Sequence, residues 1–317
     1  MFAYILKRLL YAIPIALSVT VVSFILVYLA PGDPLNAIAP ADAPEEVITA
    51  LRSAYGLDQP VPVQYGLWLM RAVQGDLGLS IATGREVTSE VLSAVGNTLL
   101  LAGVAALIGV VAGCILGALA GYRHGSWIDR LATALSVVGV SIPHYWLGLV
   151  LTILFSIWQP WFPAMGAGPG GSSEWLWDLE HFRYLVLPAV TLSVIPMGII
   201  TRTVRALVAD MLAQEFVTAL RARGLSGIAV FRHVAKNTAP TVLAVAGLQI
   251  GYLTGGSILV ETVFAWPGTG FLLNTAIFQR DIPLLQGTIL VLCMFFVALN
   301  LLVDILQPLI DPRMGRA

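Results

Sequence analysis

The chain has 317 residues, 58 % of them hydrophobic and 11 % charged, with 17 Lys and Arg against 18 Asp and Glu. A soluble domain is nearer half apolar and a quarter charged, so too little charge is present to cover a water-facing surface, in keeping with a mean hydropathy of +0.86. Soluble enzyme, nucleic-acid binder and disordered linker are poor readings, and an all-α polytopic membrane protein is expected.

A helix needs about 20 apolar residues to cross a bilayer, and intervals without Asp, Glu, Lys or Arg mark the candidates. The first is 9–31. Lys7 and Arg8 precede it as in a signal peptide, but the run is too long for a signal core and ends in Pro31-Gly32-Asp33-Pro34, so it is expected to stay as a span. An outer segment, 31–96, follows. It carries a helix-like stretch over 44–54, a turn at Tyr55-Gly56-Leu57-Asp58-Gln59-Pro60 and Trp68 as an amphipathic anchor. It reads as a cap over the outer face.

The second interval, 91–122, repeats Gly109, Gly113, Gly117 and Gly121 every four residues. Such a ladder lets two helix backbones approach closely. The third, 131–173, contains Pro143 and His144 and is longer than one span needs. Within the outer segment 158–183, Gly166-Ala167-Gly168-Pro169-Gly170-Gly171 has no strand before it and no Lys-Ser/Thr after it, so it reads as a flexible loop and not as a phosphate cradle. The fourth interval, 184–201, is short and holds Pro188 and Pro196.

The segment 202–240 is the longest loop on its side. Its composition predicts a helix from Asp210 to Ala222, with Met211, Leu212, Phe216, Ala219 and Leu220 near helical spacing, stopped by Gly224 as a C-terminal cap. A second helical stretch is expected before Pro240. A short amphipathic helix with basic neighbours can lie on anionic lipid or dock into another protein, and composition does not choose between them. The fifth interval, 237–260, carries Gly247, Gly251 and Gly255; the sixth is 282–303. Between them, 262–279 is also uncharged, but Trp266-Pro267-Gly268-Thr269-Gly270 breaks a helix near its start, which suggests a re-entrant or interfacial segment.

Six spans place Lys7, Arg8, Arg123, Arg130, Arg202, Arg205, Arg221, Arg223, Arg232, Lys236, Arg313 and Arg316 on one side, twelve cations against five on the other. The positive-inside rule then puts both termini in the cytoplasm.

Few ionisable groups enter the spans. Glu261 ends the fifth, Asp304 lies near the inner end of the sixth, and Asn97, Gln249 and Asn300 add neutral polarity. A proton- or ion-coupled carrier would place carboxylates near mid-membrane, and none is found there. The two lysines, Lys7 and Lys236, stand in no phosphate-binding loop, and there is no His-Glu-x-x-His zinc signature. Cys114 and Cys293 lie in apolar runs and make neither a disulfide framework nor a metal site. Ser141 and His144 share a helix face without an orienting third group, so an intramembrane serine protease is a poor reading. No catalytic, cofactor or metal site is expected.

Several short motifs stand in order along the chain. They are Pro31-Gly32-Asp33-Pro34, Tyr55-Gly56-Leu57-Asp58, Gly75-Asp76-Leu77-Gly78-Leu79-Ser80, a run from Val260-Glu261-Thr262 to Trp266-Pro267-Gly268-Thr269-Gly270, Arg280-Asp281-Ile282-Pro283, Asn300-Leu301-Leu302-Val303-Asp304 and Asp311-Pro312-Arg313. Each is weak alone; their order and spacing are specific. On these motifs the chain resembles, nearly end to end, the first-named permease subunit of bacterial dipeptide, oligopeptide and nickel ABC importers. The run from Glu215 through Phe216, Thr218, Ala219, Leu220, Arg221, Arg223, Gly224 and Leu225 to Ser226 is similar to that family's ATPase-coupling motif, followed by His233, Asn237 and Pro240. Thr218-Ala219-Leu220 occupies the place of the general Glu-Ala-Ala.

The resemblance implies a type I importer permease fold of six transmembrane helices in a bacterial inner membrane. The expected parts are a peripheral helix over 1–30, a periplasmic region over 31–96 and a five-helix core over 97–317 with the coupling loop at 202–240. It implies a second homologous permease subunit, two ATPase subunits that bind ATP and magnesium, and an extracytoplasmic solute-binding protein. Short peptides are the implied cargo, with nickel, a nickel chelate or glutathione as alternatives. Gln249, Thr254, Ser257 and Glu261, at the fifth span, are the candidate translocation-path residues. The hypothesis of another class is a stand-alone carrier or intramembrane enzyme.

Overall fold

The computed structural model describes residues 2–29, 44–54, 58–172 and 175–310. The expected motifs at 31–34, 55–57 and 311–313, and the side chains of Thr254, Asn300 and Asp304, lie outside the described residues. The helices are α1 (Phe2–Leu29), α2 (Glu45–Ala54), α3 (Val61–Val73), α4 (Val87–Tyr122), α5 (Trp127–Ser141), α6 (His144–Thr152), α7 (Leu179–Leu212), α8 (Glu215–Ala222), α9 (Gly227–Val263), α10 (Thr269–Gln279) and α11 (Ile282–Ile310). Among the described residues the only extended pairing is an isolated bridge between Leu79 and Glu86, so the chain is all-α.

Among the described residues two helices, α4 and α7, are each long and apolar enough to cross a membrane. Two more candidates are bent: α5 with α6 and its continuation to Trp158, at 103°, and α9, at 51° between Gly227–Leu253 and Gly255–Val263. The described apolar stretches of α1 and α11 are shorter, Ile13–Ile25 and Ile282–Ala298.

Three sequence expectations are corrected. The third interval is not one continuous helix. Ile142 is extended (φ −81°, ψ 127°) because the residue before a proline is pushed out of the helical region, and α6 restarts behind Pro143 and ends in a π-helix, Ile153–Trp158. The helix expected from Asp210 to Ala222 is two helices: Asp210, Met211 and Leu212 finish α7, and α8 restarts after Gln214. The stretch before Pro240 does not stop there. α9 runs through that proline, as α7 runs through Pro188 and Pro196, since packing outweighs one lost backbone hydrogen bond in each case.

The chain divides into two compact units, Met1–Thr98 with Pro267–Leu301 and Leu99–Trp266 with Leu302–Ala317. In the first, α1 meets α3 through a Thr20–Tyr65 hydroxyl hydrogen bond of 2.8 Å. Trp68, expected as an interfacial anchor, packs beside Phe24 and Tyr65 at ring distances of 5.8 and 6.2 Å. Leu77, Val87, Val91, Ala276, Leu284 and Leu290 form this unit's core. The break before α10 is pinned: Asn97 Nδ2 donates to the Pro267 carbonyl at 3.0 Å, and Thr269 N donates to Thr98 Oγ1 at 2.8 Å.

In the second unit the expected glycine ladder lies against α7. A Cβ on Gly113 would stand 2.9 Å from Ile200 Cβ, one on Gly117 2.6 Å from the Thr201 carbonyl, and one on Gly121 2.8 Å from the Arg205 carbonyl. The backbones are therefore in contact, and no side chain fits between them. Gly117→Ala is expected to lower thermal stability by about 1–3 kcal/mol, the cost of overpacking. Gly103, on the same helix with nothing within 4 Å of its Cβ position, supplies the control: Gly103→Ala should leave the unfolding temperature unchanged or raised. Of the fifth-span glycines, Gly255 has nothing within 4 Å of its Cβ position.

Candidate functional site

The arginine-rich end of the second unit is built by the end of α7, by α8 and by the start of α9. α8 is amphipathic. Val217 is fully buried and Phe216 and Leu220 are half-buried, all against a core of Ile200, Val204, Val208, Val230 and Val234. The opposite face, Thr218, Ala219, Arg221 and Arg223, is exposed, and among the described residues neither arginine has an ion-pair partner. Glu215 occupies the first turn, where the helix dipole favours a negative charge.

Gly224 ends α8 as its sequence position suggests. Its φ is +77°, its N–H donates to the Arg221 carbonyl at 2.9 Å, and the Leu225 N–H donates to the Leu220 carbonyl at 3.2 Å. This pair of bonds is a Schellman cap, and Leu220 and Leu225 both pack on the same core, the apolar contact that accompanies it. Ser226 then caps α9 by accepting from Ala229 N at 3.4 Å. The glycine and its neighbours thus fix the angle between two helices within a few residues.

Asn237 is not in this turn. It is exposed on α9, and its Nδ2 donates to the His233 carbonyl of its own helix at 2.8 Å. Sequence reasoning missed Ile228, 77 % exposed in the first turn of α9 beside the cap. A large apolar side chain so placed next to free cations gives the surface an apolar contact point; the signal was an isoleucine directly after a capping serine and glycine.

Arg205, one of the cations assigned by charge count alone, is committed inward. Its Nε and Nη2 donate to Asp129 at 2.5 and 2.9 Å, and Gly125 N adds a third bond at 2.9 Å to a carboxylate that is 3 % exposed. Arg205→Leu is expected to lower stability by about 2–3 kcal/mol, because it removes the charged hydrogen-bond donor of a buried carboxylate and leaves it the Gly125 N–H and His124; thermal unfolding checks it.

The candidate path residues divide. Ser257 and Glu261 are fully buried within the subunit, Gln249 is half-buried, and Thr254 belongs to the undescribed side chains. Among the described residues no cluster of three His, Cys, Asp or Glu is placed to hold a metal ion.

Two sequence families match. That described as "Binding-protein-dependent transport system inner membrane component" covers residues 109–316, and its N-terminal counterpart covers residues 1–102. A putative peptide transport system permease protein of Brucella abortus is 39 % identical over 314 residues, covering 99 % of both chains. A dipeptide transport system permease protein of Alkalihalophilus pseudofirmus is 35 % identical, covering 99 % of both. A glutathione transport system permease protein of Escherichia coli is 37 % identical, covering 98 % of both.

Proposed function

The chain belongs to the family of binding-protein-dependent transport system inner membrane components, and on that premise we propose that it forms half of a pore importing short peptides. It is a permease subunit of an ATP-binding-cassette importer and not an enzyme. We read it as a six-span subunit of a bacterial inner membrane with both termini in the cytoplasm. It pairs with a homologous permease and receives cargo from an external solute-binding protein.

Two partner ATPases bind ATP and magnesium, and α8 is their contact. The observation that carries this role is the construction of α8: one face anchored in the core through Val217, the other exposing Thr218, Ala219, Arg221 and Arg223. Such a helix transmits a push as a rigid lever, because its buried face cannot slide independently of α7 and α9. Arg221 and Arg223 would meet acidic or carbonyl acceptors on the ATPase, while Gly224 sets the return turn. Positive-inside orientation uses the same arginines and is compatible with that role.

Peptide cargo follows from the peptide and dipeptide permeases to which the chain is similar. Glutathione, itself a short peptide, is the second reading, favoured by the relative of that name. The deciding experiment reconstitutes the subunit with its sister permease, the two ATPases and the binding protein in vesicles. Uphill uptake of a labelled dipeptide should require ATP and every component, with labelled glutathione as the competing cargo. Uphill accumulation by this chain alone would overturn the proposal in favour of a stand-alone carrier.

A further inference from the structure

The break at Pro143 leaves polar groups where an apolar bundle has no use for them. α5 has 15 residues, so at about 1.5 Å per residue the break lies about 22 Å from the arginine-rich end, inside a hydrocarbon core about 30 Å thick. His144, first residue of α6, lies against α9: its Cε1 is 3.9 Å from the place a Cβ on Gly256 would take, and the Tyr252 ring is 3.8 Å from the same point. Gln249, Tyr252 and Gly256 stand at i, i+3 and i+7, one stripe of α9. His144 Nδ1 and Gln249 Oε1 are both shielded, and among the described residues neither has a hydrogen-bond partner. Tyr252 is 56 % exposed.

A shielded polar atom left without a partner is costly, and more so where no water can reach it. Polar groups kept at such a cost inside a membrane mark the place where a partner arrives. We propose that His144, Gln249 and Tyr252 line the translocation path and hold the cargo by its main-chain amides as it passes. This rests on the peptide-permease reading and adds the recognition chemistry. The Gln249 carbonyl accepts from a peptide N–H, and the Tyr252 hydroxyl donates to a peptide carbonyl. The His144 ring nitrogen serves either group according to its tautomer. No member of the stripe carries a fixed charge, so the contacts suit the one feature that peptides of different side chains share. They also stay weak enough to release it.

The test uses the assembled importer with Cys114 and Cys293 replaced by Ala and no accessible cysteine on its partners. Tyr252→Cys is then exposed to a charged, water-soluble methanethiosulfonate and, separately, to a lipid-soluble maleimide, with and without ATP. The charged reagent should modify the cysteine, at rates differing about tenfold or more between nucleotide states, as expected where the disfavoured conformation is at most ~10 % populated. His144→Leu should lower dipeptide uptake about fivefold, the worth of one hydrogen bond, and His144→Gln should restore most of it. Reaction with the maleimide alone would place the stripe against lipid, and reaction with neither reagent would place it under the sister subunit; either result overturns the inference. So would equal uptake by the Leu and Gln variants. If the unmodified importer takes up no dipeptide while the complex is intact, the peptide-permease reading fails instead.

Discussion

Gly224→Ala in the assembled importer is expected to lower peptide uptake and peptide-stimulated ATP hydrolysis by about 5–30-fold while the protein stays folded in the membrane. The cost is conformational. Gly224 holds φ +77°, and a Cβ added there meets nothing within 4 Å. Space is therefore not limiting, and what an alanine loses is about 1–2 kcal/mol for left-handed backbone, which shifts a two-state population by the stated factor. The Schellman bonds from Gly224 and Leu225 close only in that conformation. Without them the turn opens and α8 no longer leaves at a fixed angle.

A series separates this cause from bulk. Gly224→Asn should be the mildest, since asparagine visits the left-handed region, alanine intermediate, and Gly224→Val the most damaging, because a β-branched residue there is a genuine outlier. Uptake and ATP hydrolysis measured on the same vesicles give the order. Damage that follows side-chain size, with Asn as harmful as Val, would mean that the glycine is needed for a close fit against the ATPase and not for its φ.

The cap was legible because its signal is local: an apolar helical spacing stopped by glycine. The ladder from Gly109 to Gly121 was legible as a period, but a period does not say which helix it faces, here α7. Other features leave no such trace. The gap between α7 and α8 falls at Ala213 and Gln214, neither of them a breaker, so composition runs the two helices together. Pro143 was in plain view, but counting uncharged residues cannot tell a bent span from a long one. Pro188, Pro196 and Pro240 err in the opposite direction, looking like stops yet carried through by packing. The burial of Ser257 and Glu261 within the subunit leaves no mark on their sequence positions, and His144 and Tyr252 become neighbours only through the packing of α6 on α9.

Long-range polar contacts are the least legible of all, and the largest stability effect is expected at one of them. Asp281 lies in the turn between α10 and α11 and is fully buried. Its Oδ2 accepts from Ser80 Oγ at 2.5 Å and from Ala82 N at 3.1 Å, and its Oδ1 accepts from Leu284 N at 3.1 Å in the first turn of α11. Ser80 Oγ in turn accepts from Thr83 N at 3.0 Å. One carboxyl thus caps a helix and folds a loop some 200 positions earlier in the chain, all within the first unit. Asp281→Ala leaves two backbone N–H groups and one hydroxyl without their acceptor. At about 1–3 kcal/mol each for the Ser80 hydroxyl and the Ala82 N–H, and about 1 kcal/mol for the lost cap at Leu284 N, the combined loss should be about 3–7 kcal/mol. The expected outcome is a sharply reduced yield of assembled complex and a lower unfolding temperature. Asp281→Asn keeps an acceptor for Leu284 N while turning an NH₂ towards Ser80 and Ala82, so it should recover only part of the loss. Ser80→Ala removes one of the three contacts and should cost about 1–2 kcal/mol. A double variant, Ser80→Ala with Asp281→Ala, should cost less than the sum of the two single losses, because the Ser80–Asp281 bond is counted in both, while the Thr83 N–H still loses its acceptor. Full additivity of the two losses in thermal unfolding would show that Asp281 does not hold the loop through Ser80.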